Sequence, residues 1–181
     1  MPNVLKSLLQ SPGIGTALGL VGITLAVVFY LRGRTTRRLA YQERSVRLIG
    51  GSRAALPNEV TVTYRGDAVP RLTQTTIVLW NAGNTSVSGS DIVGADPLRI
   101  SLILDATIVE ARVAQNTRIV NGVTVSLVPG QKNEALIDFD FLDSDDGAHI
   151  ELLHTAESVA AVMHGTIRGF RNGCEFWGTI C

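Results

Sequence analysis

Acidic side chains dominate one stretch of the chain. Residues 133–167 contain eight aspartates or glutamates and no lysine or arginine. Within residues 135–142 the period of two predicts a strand that directs Ile137, Phe139 and Phe141 to a core and Asp138 with Asp140 to water. Such acids either keep a sheet face solvated or form a docking surface for a basic partner. The candidate partner surface comprises Asp138, Asp140, Asp143, Asp145 and Asp146.

The segment DSDDG at residues 143–147 has the residue types of a calcium loop. An EF-hand, however, needs Asp-x-Asp-x-Asp-Gly, a glutamate at the twelfth position and flanking helices, and this set is incomplete. Aspartate and glycine also form tight turns without an ion. We therefore predict a β-turn, with weak divalent binding as the alternative, and assign no metal site.

Three histidines are the remaining metal-ligand candidates. His149 and His154 are five residues apart, so a regular strand directs them to opposite faces, and no H-x-H or H-E-x-x-H pattern occurs. We expect a partly buried histidine that hydrogen-bonds beside the DDG turn. A metal-dependent enzyme that uses the acids and histidines is the third functional class considered.

Patterns for nucleophilic catalysis do not occur. The sequence has no G-x-S-x-G and no phosphate-binding glycine loop before a helix. Cys174 and Cys181 both lie in the last eight residues, where they form a disulfide outside the cytoplasm or stay reduced within it. The sequence therefore predicts a protein that is not an enzyme and has no cofactor.

An apolar segment near the amino terminus predicts a membrane anchor. Residues 13–31 carry no formal charge, and a helix of this length rises about 28 Å, enough to span a bilayer. No A-x-A-like cleavage site follows, which favours an uncleaved anchor. Within the span, Gly15 and Gly19 form a G-x-x-x-G pattern that allows two helices to approach closely. A homo-oligomer formed through this face is one alternative.

The charges are distributed unevenly. Residues 1–38 contain five basic residues and no acid, whereas the remainder has a net charge of −5, which disfavours nucleic acid as a partner. Four arginines follow the span, against one lysine before it, and this excess predicts that the C-terminal part faces the cytoplasm. These arginines, here called the arginine collar, are also candidate contacts for lipid headgroups: Arg32, Arg34, Arg37 and Arg38.

The remaining chain predicts a small all-β domain. From residue 58 onward, about eight short runs with strand periodicity are separated by NG, PG and DDG turn signals. This pattern is typical of an antiparallel immunoglobulin-like sandwich, with a small barrel as the alternative. The predicted organisation is a short N-terminal segment at 1–12, a transmembrane helix at 13–31, a basic juxtamembrane stalk at 32–57, the sandwich at 58–169 and a tail at 170–181.

Four segments carry a family resemblance. TTIVLWNAGN, DIVGADPLRI, LIDFDFLDSDDGAHIELLHT and HGTIRG resemble uncharacterised bacterial single-pass membrane proteins with an Ig-like domain. The resemblance covers roughly residues 58–169, and the tail departs from it. It implies a bacterial membrane location and supplies no catalytic residues.

Together these features predict a non-enzymatic interaction or sensing module at the cytoplasmic face of a membrane. Its expected partners are membrane lipids and a protein with a basic surface. The alternative is a structural, oligomerising component of a multi-protein membrane system.

Overall fold

The computed structural model describes residues 12–50, 63–69, 71–102, 106–156, 161–171 and 173–180. The chain divides into two compact units, Met1–Thr35 and Thr36–Cys181. Among the described residues, the first unit contains one helix, and the second is built from strands. With 49% strand and 17% helix, the protein is mainly β, as the sequence predicts.

Helix α1 extends over Pro12–Arg32. Proline suits the first helical position because its missing N–H has no partner to lose there. The hydroxyl of Thr24 donates a hydrogen bond to the Leu20 carbonyl at 2.8 Å, so this polar atom is satisfied within the helix. Over Gly15–Arg32 the helix is long and apolar enough to cross a membrane, and none of that stretch is buried.

One side of α1 carries small residues. Gly15 and Gly19 are four residues apart and therefore lie on the same helix face. Apart from the backbone of the helix itself, a methyl group added at either position would meet no atom of the described residues within 4 Å. Use of this face in self-association stays a prediction.

Thirteen strands follow α1 in the described part of the chain. In chain order they are β1 (Leu39–Ile49), β2 (Thr63–Tyr64), β3 (Asp67–Ala68), β4 (Leu72–Asn81), β5 (Val87–Ser88), β6 (Arg99–Leu102), β7 (Ile108–Asn116), β8 (Thr124–Leu127), β9 (Glu134–Asp138), β10 (Phe141–Leu142), β11 (Gly147–His154), β12 (Ala161–His164) and β13 (Cys174–Thr179).

These strands form two open sheets and two short ribbons. The first sheet has the order β13-β1-β4-β11-β7, and the second has the order β12-β6-β9-β8. Strands β10 with β5, and β2 with β3, form the ribbons. The pair β1 and β13 is parallel, whereas the other described pairs are antiparallel. The predicted count of about eight strands is therefore wrong. Within residues 58–169, the predicted sandwich, every described strand pair is antiparallel, as expected, and the Ig-like assignment stays a prediction.

One hydrophobic core lies between the inner faces of the two sheets. From Thr73 onward the burial of β4 alternates along the strand, and the strand contributes Ile77 and Leu79 to this core. The largest fully buried apolar side chains come from both sheets and from their connections: Leu39, Ile77, Leu79, Val87, Leu98, Ile100, Leu102, Leu142, Ile150, Leu152 and Ile167.

Strand β1 occupies much of the predicted stalk. Residues 39–49 pair with β4 from Leu39 opposite Asn81 to Ile49 opposite Leu72, so a stalk over 32–57 is wrong for this stretch. The sequence pattern did not predict this strand, because the inward face of β1 has only two large apolar residues, Leu39 and Tyr41, and the strand also contains three charged side chains. Residues 51–57 lie outside the described residues.

The predicted tail also contains a strand. Strand β13 pairs with β1, and Leu39 lies opposite Cys174. The two tryptophans meet edge to face on the outer side of the sheet, with the Trp80 and Trp177 ring centroids 5.3 Å apart. Trp80 is only half-buried.

Side chains of β1 connect the two sheets. The carboxylate of Glu43 accepts a hydrogen bond from the Ala161 amide at 2.9 Å, and the Tyr41 hydroxyl accepts one from the Met163 amide at 3.4 Å. Both amides belong to β12, which pairs only with β6 among the described strands. Because an edge strand otherwise presents unpaired N–H groups, β1 satisfies part of the β12 edge.

Candidate functional site

The predicted alternation in the acidic stretch is confirmed at its centre. Ile137 and Phe139 are buried, whereas Asp138 and Asp140 are exposed. The Asp138 carboxylate accepts a hydrogen bond from the Phe139 amide at 2.9 Å, which fixes its direction. Strand β9 ends at Asp138, and Phe141 is half-buried in the separate strand β10. The expected continuous strand over 135–142 is therefore interrupted at residues 139–140.

The DSDDG segment forms the predicted tight turn. The Asp146 amide donates to the Asp143 carbonyl at 3.0 Å, and Asp145 adopts a φ of 64°. Aspartate tolerates this left-handed conformation better than most residues. Gly147 follows where a Cβ atom would lie 2.1 Å from the Leu79 carbonyl oxygen, so only glycine fits this approach to β4.

One arginine binds two carboxylates of the turn. Arg118 donates to Asp146 through Nε at 3.0 Å and to Asp143 through Nη2 at 2.6 Å, and Nη2 also contacts Asp146. Asn121 donates to the Asp146 carboxylate at 2.9 Å. These four residues are here called the Arg118 clamp. Hydrogen bonds from Arg118 hold the pKa values of Asp143 and Asp146 below their usual range.

The five aspartates of the candidate partner surface differ in exposure, because two of them belong to the clamp. Asp146 is only 5% exposed and is committed to the clamp, so its predicted place on a partner surface is wrong. Asp143 pairs with Arg118 but remains half-exposed. The three residues that point to solvent are here called the exposed acids: Asp138, Asp140 and Asp145.

A groove of about 410 Å³ adjoins this surface. Its polar lining includes Asp138, Thr124 and Ser126, and its apolar lining includes Ile92 and Pro97. Thr124 lies opposite Asp138 in the pair β8 and β9. A carboxylate at the margin of a partly apolar groove suits a cationic group attached to an apolar chain.

Sequence reasoning missed the loop between β7 and β8. Arg118 lies 28 positions before Asp146, and no local pattern links them. Ile119 and Val120 are 91% and 62% exposed in a 3₁₀ turn at residues 119–121. The dipeptide Asn121-Gly122 gave a turn signal, but it did not reveal that the turn exposes two apolar side chains.

The histidines are not brought together. His154 is fully buried, with its Nδ1 accepting from the Ala156 amide at 3.2 Å and its Nε2 2.8 Å from the Thr75 hydroxyl. His154 is the last residue of β11, whereas the DDG turn lies at the start of that strand. The expected hydrogen bond from a histidine beside the turn is therefore wrong for His154. His149 and His164 are exposed. Among the described residues, no three His, Cys, Asp or Glu side chains form a group that could hold a metal ion.

Part of the arginine collar belongs to the β domain. Arg38 forms an ion pair with Glu175 at 2.6 Å and lies 5.8 Å from the Trp177 ring. Arg37 pairs with Asp91 at 3.4 Å. The predicted collar of four headgroup contacts therefore needs correction at these two positions, because their guanidinium groups have protein partners. Arg32 and Arg34 are exposed at and after the end of α1.

The described cysteine has an unreactive environment. Cys174 packs against the core, and burial raises the pKa of its thiol to about 12. A thiol with this pKa is almost entirely protonated near neutral pH, and the protonated form is a poor nucleophile. Cys181 lies outside the described residues.

Comparison with protein-family models, curated proteins and solved structures finds no match to this chain.

The Arg118 clamp predicts that two neighbouring aspartates differ in their contribution to stability. Asp146→Asn replaces a buried acceptor of several N–H groups and should lower the free energy of unfolding by about 2 kcal/mol. Asp145→Asn is the matched control, since Asp145 is exposed and asparagine tolerates its φ of 64°. That change should stay within about 0.5 kcal/mol. Denaturant titration of both variants checks this, and equal effects would contradict the clamp.

The buried His154 predicts a pH dependence of stability. Burial lowers its pKa to about 4, against an unperturbed value of about 6.5, so the unfolded chain binds more protons between these pH values. The stabilisation is thus complete above about pH 6.5 and is lost as the pH falls to about 4. The expected loss from this group reaches about 3 kcal/mol.

A variant without a titratable group at position 154 isolates the contribution of His154 to the pH dependence of stability. His154→Asn retains an acceptor for the Ala156 amide but does not titrate, and it should be less stable than the wild type at pH 7. The difference in unfolding free energy between the two proteins should shrink as the pH falls from 6.5 to 4. Burial raises the pKa of Glu43, an effect of opposite sign, but both proteins contain Glu43. A difference that is independent of pH would show that His154 is not buried in its neutral form.

Proposed function

We propose that the chain is a membrane-anchored, non-enzymatic interaction or sensing module. Helix α1 fixes it in the membrane, and the β domain presents the exposed acids to a protein with a basic surface. The observation that carries this proposal is the placement of Asp138 and Asp140 in water beside the buried Ile137 and Phe139. Their backbone is anchored by the core, so the charges have fixed positions.

The chemistry of the titratable groups supports a binding role over a catalytic one. His154 is buried in its neutral form, and the Cys174 thiol has a raised pKa. Asp146 is satisfied within the Arg118 clamp. These groups stabilise the fold, and none combines a suitable pKa with access to a substrate, as acid–base or nucleophilic catalysis requires.

The anchored location is proposed from α1 and the charges around it. Arg32 ends the helix and Arg34 follows it, whereas Lys6 is the one basic side chain before the span. This asymmetry favours a cytoplasmic β domain, with Arg32 and Arg34 at the headgroups of the inner leaflet. The two-sheet core is compatible with an Ig-like sandwich, and the bacterial single-pass proteins that the sequence resembles share this organisation.

The membrane orientation predicts a labelling pattern. Cys174 is a poor reporter because of its raised pKa, so the test uses Cys174→Ala with Cys181→Ala and one new cysteine at Ile119, which is 91% exposed. A membrane-impermeant maleimide should miss this cysteine in intact cells and modify it after lysis. Ser7→Cys on the same background is the reciprocal control, since it should react in intact cells. Efficient labelling at position 119 in intact cells would reverse the orientation.

The exposed acids predict charge-dependent binding without a loss of stability. Asp138→Asn with Asp140→Asn should change the free energy of unfolding by less than about 0.5 kcal/mol per site, because both side chains are exposed. In native membranes, cross-linking of the full chain to its partner should decrease in this double variant. The same decrease should occur for the wild type at ~0.5 M salt, where the Debye length is roughly 4 Å.

Two further variants make this test specific. Asp67→Asn removes an exposed acid from the β2–β3 ribbon and should leave the cross-links unchanged. Phe139→Asp places a charge in the core and should unfold the domain. Identical cross-linked products from the wild type and from the Asp138→Asn, Asp140→Asn variant would contradict the proposed acidic docking surface.

A further inference from the structure

The loop between β7 and β8 exposes two neighbouring apolar side chains. Ile119 and Val120 are 91% and 62% exposed on a single 3₁₀ turn. Isolated apolar residues are common on protein surfaces, but an adjacent pair at the end of a loop presents most of its hydrocarbon to water. Burial of such a pair against a partner is favourable because it removes this area from water.

Hydrogen bonds fix the conformation of this apolar turn. Asn121 is fully buried; its Oδ1 accepts from the Arg118 amide at 3.0 Å, and its Nδ2 donates to the Phe141 carbonyl at 2.9 Å. Gly122 closes the turn with a φ of 62°, and the Thr117 amide donates to the Gly147 carbonyl at 2.9 Å. Because the turn is ordered before binding, little conformational entropy is lost when a partner covers it.

Carboxylates surround the base of the same turn. The Asp140 carboxylate lies against Gly122, 2.5 Å from the position that a Cβ atom would take. Asp143 and Asp146 share the single guanidinium of Arg118, which leaves the clamp with excess negative charge. An anionic lipid surface would be repelled by these groups, whereas lysine or arginine would be attracted.

We propose that Ile119 and Val120 form the apolar anchor of a protein-binding site whose partner offers an apolar pocket or stripe flanked by lysine or arginine. This inference rests on the proposed interaction function and adds the residues that supply most of the affinity. The exposed acids provide attraction and orientation, and the apolar turn provides the buried contact, in keeping with the concentration of binding energy in few residues.

The test measures binding of short fluorescein-labelled peptides to the full chain in phosphatidylcholine nanodiscs, with empty nanodiscs subtracted. The probes are a leucine–lysine peptide, a leucine–glutamate peptide and a serine–lysine peptide of equal length. The leucine–lysine peptide alone should bind with high affinity. Ile119→Ser with Val120→Ser should raise its Kd about tenfold or more, as expected when an anchoring contact is removed.

Val46→Ser with Leu48→Ser is the matched control. These side chains on the outer face of β1 are 46% and 49% exposed, so the change removes a pair of exposed apolar side chains elsewhere, of smaller exposed area, and should leave the Kd within about twofold. An equal loss of affinity in both variants overturns the assignment, as does binding of the leucine–glutamate peptide. Absence of leucine–lysine binding at millimolar peptide also overturns it.

A second measurement separates lipid from protein as the occupant. An environment-sensitive fluorophore on Ile119→Cys, with Cys174→Ala and Cys181→Ala, should report water in the nanodisc and an apolar environment only after the leucine–lysine peptide is added. Apolar emission before the peptide is added assigns the turn to the bilayer and overturns the proposal. If Asp138→Asn with Asp140→Asn weakens binding but the serine variant does not, the apolar anchor fails while the proposed acidic surface survives.

Discussion

The attachment of β1 to both sheets is the constraint on which the rest of the domain depends. Its backbone pairs with β4 over nearly its whole length, while Glu43 and Tyr41 accept hydrogen bonds from the edge strand β12 of the opposite sheet. One strand therefore contributes to the first sheet and satisfies an edge of the second. Burial raises the pKa of Glu43, so the contact with Ala161 costs desolvation that the hydrogen bond partly offsets.

Within the acidic stretch, closely spaced aspartates have opposite structural roles. Asp146 and Asp143 both pair with one arginine from a distant loop, and this pairing orders both the DSDDG turn and residues 117–122. Asp138 and Asp140 stay in water because their neighbours occupy the core. Buried and exposed carboxylates thus lie close together in this stretch, and the exposed pair is available for the recognition role proposed above.

Periodicity predicted the features that depend on local pattern. The apolar span, the mainly β class, the alternation around Ile137 and the tight turn at residues 143–146 follow from residue spacing. The pairing of distant strands and side chains did not follow from residue spacing. Strand β1 carries Glu43, whose partner at Ala161 comes from a distant strand, and Arg118 contacts Asp146 only through tertiary structure. Exposure of Ile119 and Val120 also depends on how the loop is held, which a short apolar run does not specify.

The parallel pair β1 and β13 has a consequence for biosynthesis. The two strands are far apart in the sequence, since Leu39 lies opposite Cys174. At typical translation rates, β1 emerges roughly 10 s before β13 is synthesised, although β4 is available much sooner. During that interval the outer edge of β1 has no partner from its own chain, and the final pairing must close a long loop. Because an unpaired edge can pair with another chain, completion of the first sheet depends on a strand that is synthesised after its other four members.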